Sequence, residues 1–304
     1  MNNSHNVHSS QLELLVALAD HDSFSEAAQV LGVTPSAVSH GLARLESELG
    51  TVLVQRGRRG VLLTSAGQAI LPHAREVVSR LHLIRQVAFA SGGEDRGKLR
   101  LSVPQPIATA NVIPLITAFS TQYPDVELRI TEDTSYTGTE SLKEGRVDIA
   151  LVAHGSPDVE SCLLVTDEFR AVVASGHEWQ RQGTVEIEQL VREPLIVPRF
   201  GAEQLRDILR SASASGERPP LRHLLGDSRL ILQLAGSGLG VALLPNSLLE
   251  DLQTSLPIQE EVAVLSVSPK VSLHVGIAVS PGQATAPLTR KLVECAESIF
   301  GTGR

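Results

Sequence analysis

The first ninety residues carry apolar positions at helical spacing in three separate blocks. Leu12, Leu15, Val16 and Ala19 share one side of a helix expected over 10–19, behind a loose polar tail at 1–9. From 23 to 46 the chain reads SFSEAAQVLGVTPSAVSHGLARLE. Ser23 with Glu26 three positions on is a capping-box start, and Ala27, Ala28 and Leu31 then fall on one face. Gly32 suits the left-handed residue that ends a helix; Thr34 followed by Pro35 suits the start of the next. Val38, Leu42 and Leu45 form that helix's inward stripe, while Ser36, Ser39, His40 and Arg44 point outward. Two short helices about a tight turn, with a small polar and basic outer face, are the plan of a helix-turn-helix, whose second helix enters the major groove of DNA.

Strict helical spacing stops after Leu49 and Gly50. Two β-prone runs, 51–54 and 61–64, flank QRGRRG and predict a hairpin with Arg56, Arg58 and Arg59 at its tip. Beside a recognition helix, such a tip is placed to grip phosphates or enter the minor groove. A long helix is expected over 65–90, with Ile70, Ala74, Val77, Leu81, Ile84 and Ala88 at alternating steps of four and three, the spacing of a seam between paired helices. Pro72 is expected to kink it near its start. SGGEDRG at 91–97 reads as a polar hinge.

Beyond the hinge, the period changes to strands alternating with helices. Strands are expected at 98–103, 126–132, 147–153, 169–174, 195–197, 241–244 and 271–279, and helices at 107–123, 139–144, 202–214, 228–234 and 286–300. This alternation predicts an α/β fold, mostly parallel sheets covered by helices, with ligands at the carboxyl ends of the strands.

Charge changes the picture by its distribution. The formal balance of −8 argues against a nucleic-acid partner, yet residues 1–90 hold seven Arg and no Lys against seven Asp or Glu. The remaining 214 residues carry the whole deficit, so the two parts present different surfaces. An apolar fraction of 42 % and a charged fraction of 20 % are ordinary for a globular chain. Cys162 and Cys295 stand 133 positions apart in no metal-ligand or CxxC spacing, which fits a reducing compartment. The start MNNSHNVHSS lacks the basic and apolar regions of a secretory signal, and the uncharged stretches 101–124 and 230–249 are interrupted by Pro, Gly, Gln, Asn and Ser. A cytoplasmic protein with no membrane partner is expected, and neither metal nor cofactor.

VTPSAVSHGLARLESELG (33–50) and QRGRRGVLLTSAG (55–67), with Phe24 and Ala27-Ala28, resemble the LysR-type transcriptional regulators. The resemblance continues in KLRLSV, AFSTQYPDVELRITE, LKEGRVDIALV and GSGLGVALLP, and so spans nearly the whole chain. It implies a winged helix-turn-helix domain at 1–64, a dimerisation helix at 65–90, a hinge at 91–97 and an effector-binding domain at 98–304. That last domain would be divided, as in periplasmic binding proteins, into one half at about 98–162 and 268–304 and another at about 163–267. The implied partners are operator DNA with two-fold-related half-sites, a small-molecule effector, further copies of the chain as dimer or tetramer, and RNA polymerase as a further candidate. Two residues depart from the family's pattern: Gly41 stands where Gln is usual and available to bases, and Val54 where Phe is usual.

Candidate DNA contacts are therefore Thr34, Pro35, Ser36, Ser39, His40 and Arg44 with the three wing arginines. The resemblance puts the effector on Gln105 and Pro106, Ser135, Ala153, and Pro198, Arg199 and Phe200; Thr109 joins them as a hydrogen-bonding side chain of the PQPIAT loop. Arg199 is the cation able to clamp a carboxylate, although Ala153 replaces an Arg found in some relatives, which weakens the case for a dianion. An enzyme is the competing class. AGSGLGVALLP (235–245) invites it but misses GxGxxG at Val241 and GxSxG at Ala235 and Leu239, and no HExxH or Walker lysine occurs. A cytoplasmic solute-binding protein and a thiol-switched regulator also compete. Against the thiol switch, the distant cysteine pair differs from the closely spaced pair of peroxide-sensing relatives.

Overall fold

A computed structural model of the chain describes residues 6–21, 23–57, 60–105, 109–155, 159–212, 221–255, 261–280 and 283–301. The N-terminal unit is built from helices α1 (Ser9–His21), α2 (Phe24–Leu31) and α3 (Pro35–Leu49), followed by the strands β1 (Val54–Gly57) and β2 (Gly60–Leu63). Local chemistry places the boundaries of α2 and α3 at the residues that suggest them, with the Ser23 half of the expected capping box present. Ser23 Oγ accepts the Glu26 N–H, Gly32 ends α2 at φ 66°, Thr34 Oγ1 accepts the Ala37 N–H, and Gly50 ends α3 at φ 68°. Leu15, Leu18, Ala27, Ala28, Val38, Leu42 and Leu45 form one buried cluster with Leu53, Val54 and Val61 of the wing.

The first wing strand differs from expectation. It starts at Val54, not at 51, because the Glu46 carboxylate receives the amides of Leu53 (2.7 Å) and Val54 (3.1 Å). Those donors are turned toward α3 and leave the hairpin ladder, which pairs only Val54–Gly57 with Gly60–Leu63.

Helix α4 (Ser65–Ser91) runs unbroken through Pro72 and carries two apolar stripes. Leu71, Ala74 and Val78 are buried, with Ala74 inside the cluster behind the helix-turn-helix and Ile70 packed against it. The expected seam is therefore divided. Ile70 and Ala74 serve their own domain, Leu81 is half-buried, and Val77, Ile84 and Ala88 are exposed. Helical spacing alone cannot separate two stripes that share a helix. Arg75 lies in the buried stripe, where it pairs with Asp20 of α1 and, at 2.8 Å, with Glu144 beyond the hinge.

The rest of the chain alternates β3 (Gly97–Gln105), α5 (Thr109–Gln122), β4 (Val126–Thr134), α6 (Ser135–Lys143), β5 (Ile149–Ala153), β6 (Ser161–Ala174), β7 (Thr184–Glu186), α7 (Ile187–Leu190), β8 (Leu195–Pro198) and α8 (Ala202–Ala212). It continues with β9 (Leu221–Leu225), α9 (Ser228–Gly236), β10 (Val241–Pro245), α10 (Asn246–Ser255), β11 (Val262–Ser268), β12 (Ser272–Val279) and α11 (Pro287–Phe300). The strands order as β4-β3-β5-β12-β6-β10-β8-β9, with β11 on β6 and β7 on β11. β3 is parallel to β4 and β5, and β8 is parallel to β9 and β10.

The long strand β6 joins two halves. Residues 161–168 pair with β12, and 169–174 pair with β10 and β11. The sequence pattern shows only its second part as a strand, since TDEFR interrupts the apolar run. Helix α6 starts at Ser135, four residues earlier than expected, and β7, α7, β9, α10 and β11 are additional to the expected elements. The glycine-rich stretch before β10 is a packing device. Gly238 turns the chain at φ 74°, and a Cβ on Gly240 would stand 2.3 Å from the Pro194 carbonyl oxygen.

Candidate nucleic-acid interface and effector cleft

Helix α3 turns Val38, Leu42 and Leu45 inward, and this leaves Thr34, Pro35, Ser36, His40 and Arg44 exposed, with Ser39 half-buried. Thr34 Oγ1 spends one lone pair on the Ala37 N–H (3.2 Å); its own O–H remains a donor for a phosphate. Arg44 Nε donates to Glu48 at 2.9 Å, a bond that holds the Glu48 carboxyl below the usual carboxylate range. Arg56 lies in β1 opposite Val61. Arg58 and Arg59 lie outside the described residues.

Position 41 lies against α1. A Cβ on Gly41 would come within 2.2 Å of Leu14 Cδ1 in α1, so this glycine marks where α3 crosses α1. Alanine there is expected to leave the recognised base sequence unchanged. The helix-propensity gain of about 1 kcal/mol is offset by the swing of the half-buried Leu14 side chain. Site selection from random DNA checks this: a changed consensus would mean that position 41 does read bases. Arg44→Ala, by contrast, should weaken binding to all sequences alike and lower the slope of log K against log salt by about one, the signature of a lost phosphate contact. An unchanged slope in binding titrations would remove Arg44 from the interface.

The effector candidates gather at the carboxyl ends of parallel strands. Gln105 ends β3 and is paired in register with Thr134, the residue before Ser135 at the start of α6. Thr109 opens α5, and Pro106 lies outside the described residues. Ala153 ends β5 and is half-buried. In the other half Pro198 ends β8 and is buried, Arg199 is exposed, and Phe200 is a core residue at 2 % exposure. Phe200 thus supports the loop from beneath, with its ring in the shared core.

The two sets of strand ends meet. Gln204, in the first turn of α8, donates from Nε2 to the His154 carbonyl just after β5 (3.1 Å) and accepts from the His274 N–H in β12 (3.3 Å). His154 Nδ1 lies 3.0 Å from Ser161 Oγ, and His274 Nδ1 lies 3.1 Å from Thr166 Oγ1. None of these contacts is evident from the residue pattern, because their members belong to separate segments brought together only by β6 and β12. Arg75 left a fainter signal: a charged residue stands in the apolar stripe of α4.

The geometry defines a class: a winged helix-turn-helix unit joined by a long helix to a binding domain of two α/β halves, with their strand ends facing. The family models for the bacterial regulatory helix-turn-helix protein of the lysR family and for the LysR substrate binding domain match residues 9–68 and 92–300. The chain belongs to the LysR family of transcriptional regulators, and with it to DNA-binding regulators rather than enzymes. It is 30 % identical to the uncharacterized HTH-type transcriptional regulator YvbU of Bacillus subtilis, over 96 % of this chain and 98 % of that protein. It is 32 % identical to a probable hydrogen peroxide-inducible genes activator of Mycobacterium avium, over 78 % of this chain and 77 % of that one. Among solved structures, a full-length OxyR variant from Pseudomonas aeruginosa superposes with a TM-score of 0.73 at 24 % identity, covering 98 % of this chain and 96 % of that chain.

The cysteines sit on separate elements. Cys162 is exposed on β6, and Cys295 is half-buried on α11, where burial pushes its thiol pKa up. A raised pKa means less thiolate and slower oxidation. Among the described residues no group of three or more His, Cys, Asp or Glu is arranged to hold a metal ion, and no helix is long and apolar enough to cross a membrane.

Proposed function

We propose that this chain is a cytoplasmic, homo-oligomeric regulator whose DNA binding responds to a small carboxylate held between the halves of the C-terminal domain. The observation that carries the reading is that β3 and β5 run side by side and that Gln204, six residues past the end of β8, bonds across to His154 just after β5, with Arg199 exposed in the loop between β8 and α8. Arg199 supplies the cation for a single carboxylate; Gln105, Thr109 and Ser135 supply hydrogen bonds. The exposed stripe of Val77, Ile84 and Ala88 on α4 is the surface on which two copies would pair. Pairing sets the spacing of the two recognition helices, and a two-fold-related operator follows. Arg75 supplies a physical link between effector and DNA, since its guanidinium joins α1 to the segment after α6. The effector shifts the balance between pre-existing arrangements of the subunits. Contact with RNA polymerase belongs to this reading as a further partner.

Footprinting of the DNA upstream of the coding region, with and without a panel of small carboxylates and amines, tests the reading. The expected result is protection of two related half-sites that one carboxylate alters. Protection that no compound alters would refute the effector, and a monomer in sedimentation at micromolar concentration would refute the pairing.

A further inference from the structure

The antiparallel ladder between β5 and β12 pairs Ala153 with Val275, so the next residues, His154 and His274, stand directly opposite one another. An opposed pair of the hydrogen-bonded kind exchanges two bonds, one in each direction. Here only one is made: the His154 N–H donates to the His274 carbonyl at 2.7 Å. The reciprocal pair of groups, the His274 N–H and the His154 carbonyl, is taken instead by the two ends of the Gln204 carboxamide. Gln204 comes from the other half of the domain, on α8, five residues past the exposed Arg199.

From this geometry we infer that Gln204 is a cross-cleft latch: its carboxamide is inserted into the last rung of the β5–β12 ladder and holds the two halves together. A carboxamide fits this role because it carries a donor and an acceptor side by side, the complement of one N–H and one carbonyl. Release is cheap for a specific reason. When Gln204 withdraws, the N–H and carbonyl it leaves behind are opposite each other and can complete the rung, so no buried backbone group is left without a partner. The freed carboxamide faces the cleft and is solvated or taken up by the ligand. Such an element has two satisfied states, which is what a switch between open and closed halves requires. The side chains that flank the rung fit the same reading. His154 is held to Ser161 and His274 to Thr166, so the rung is anchored to β6 on both sides, while among the described residues Gln204 is the side chain that bonds to it from the opposite half.

This inference rests on the effector-cleft reading for its biological meaning, but its test needs no effector. Spin labels at Arg229 on α9 and Glu297 on α11, both exposed and in opposite halves, report the separation of the halves in the full-length protein with Cys162 and Cys295 replaced by serine. Gln204→Leu keeps the side-chain size and removes both bonds; Gln204→Asn keeps the amide but is one methylene too short to reach both groups. Both variants are expected to shift the distance distribution to longer values and broaden it, whereas Glu203→Gln, on the exposed neighbour, leaves it unchanged. If Gln204→Leu and Gln204→Asn keep the parent distribution, the latch is overturned. Should an operator footprint prove indifferent to every compound while the Gln204 variants open the domain, the effector reading fails and the latch stands.

Discussion

Gly67→Ala is expected to destabilise the DNA-binding unit strongly and weaken operator binding, although the residue lies in neither the recognition helix nor the wing. A Cβ at this position would stand 2.1 Å from the Leu53 carbonyl oxygen and 3.1 Å from its carbon. That peptide has nowhere to go. Its oxygen accepts the Thr64 N–H at 2.9 Å, the Leu53 N–H is bound to the Glu46 carboxylate, and the Leu53 side chain is fully buried. Thr64 in turn caps α4 through the Gly67 N–H (3.0 Å) and donates to the Val52 carbonyl (2.7 Å). Moving any member disturbs the wing, the start of α4 and the end of α3 together. Overpacking against fixed backbone costs about 3 kcal/mol. For a unit of this size that corresponds to a fall of roughly 12–24 °C in melting temperature. Calorimetry on the full chain would show the N-terminal transition moving alone; a melting temperature within about 2 °C of the parent would mean that the junction is softer than its hydrogen bonds indicate.

Asp148→Ala should be the corresponding injury to the binding domain. Asp148 is 3 % exposed. Its carboxylate accepts the Arg100 N–H at 2.8 Å and the Arg100 guanidinium at 3.2 Å from Nε and 2.7 Å from Nη2. Its backbone continues the stitching, with its N–H donating to the Arg100 carbonyl and its carbonyl accepting from Ser280. One residue thus ties β3 to β5 and to the end of β12. Removing the anion leaves the Arg100 guanidinium with the Gly145 carbonyl as its remaining hydrogen-bond acceptor among the described residues. Breaking one side of a buried pair costs about 3–5 kcal/mol, and the partial exposure of Arg100 puts this case at the lower end. Urea unfolding should show stability lowered by that amount, through an earlier midpoint with the slope unchanged. Adding Arg100→Met should recover part of the loss, because the uncompensated charge is then gone; a double variant as unstable as the sum of the singles would place the cost in the backbone instead.

Residues 23 to 50 were readable from the chain because every determinant there is local. A cap, a left-handed glycine and a stripe at steps of three and four act within one or two turns, and Ser23, Gly32, Thr34 and Gly50 all occupy the roles their chemistry suggests. The wing was readable in kind but not in register, since Glu46 takes the Leu53 and Val54 amides from seven and eight residues away. Gly41 shows the same limit. By resemblance it is a missing base contact; in the fold it is the place where α1 comes too close for a side chain.

In the binding domain the alternation of strands and helices determined the α/β class, because burial on both faces of a parallel sheet demands apolar runs separated by helical spacing. It did not determine the division into halves. That depends on β6, whose two ends serve different neighbours and whose polar centre hides it as a single strand. Nor could it show Arg75 spanning α1 and α6's far end, or Gln204 in a rung between His154 and His274. Periodicity records which face of an element is buried; it carries no information about which distant segment does the burying. The chain alone therefore determined the helix-turn-helix, the α/β class and the family. Only tertiary packing decided which polar groups meet across elements, because hydrogen bonds and ion pairs between segments far apart in sequence depend on coordinates rather than spacing.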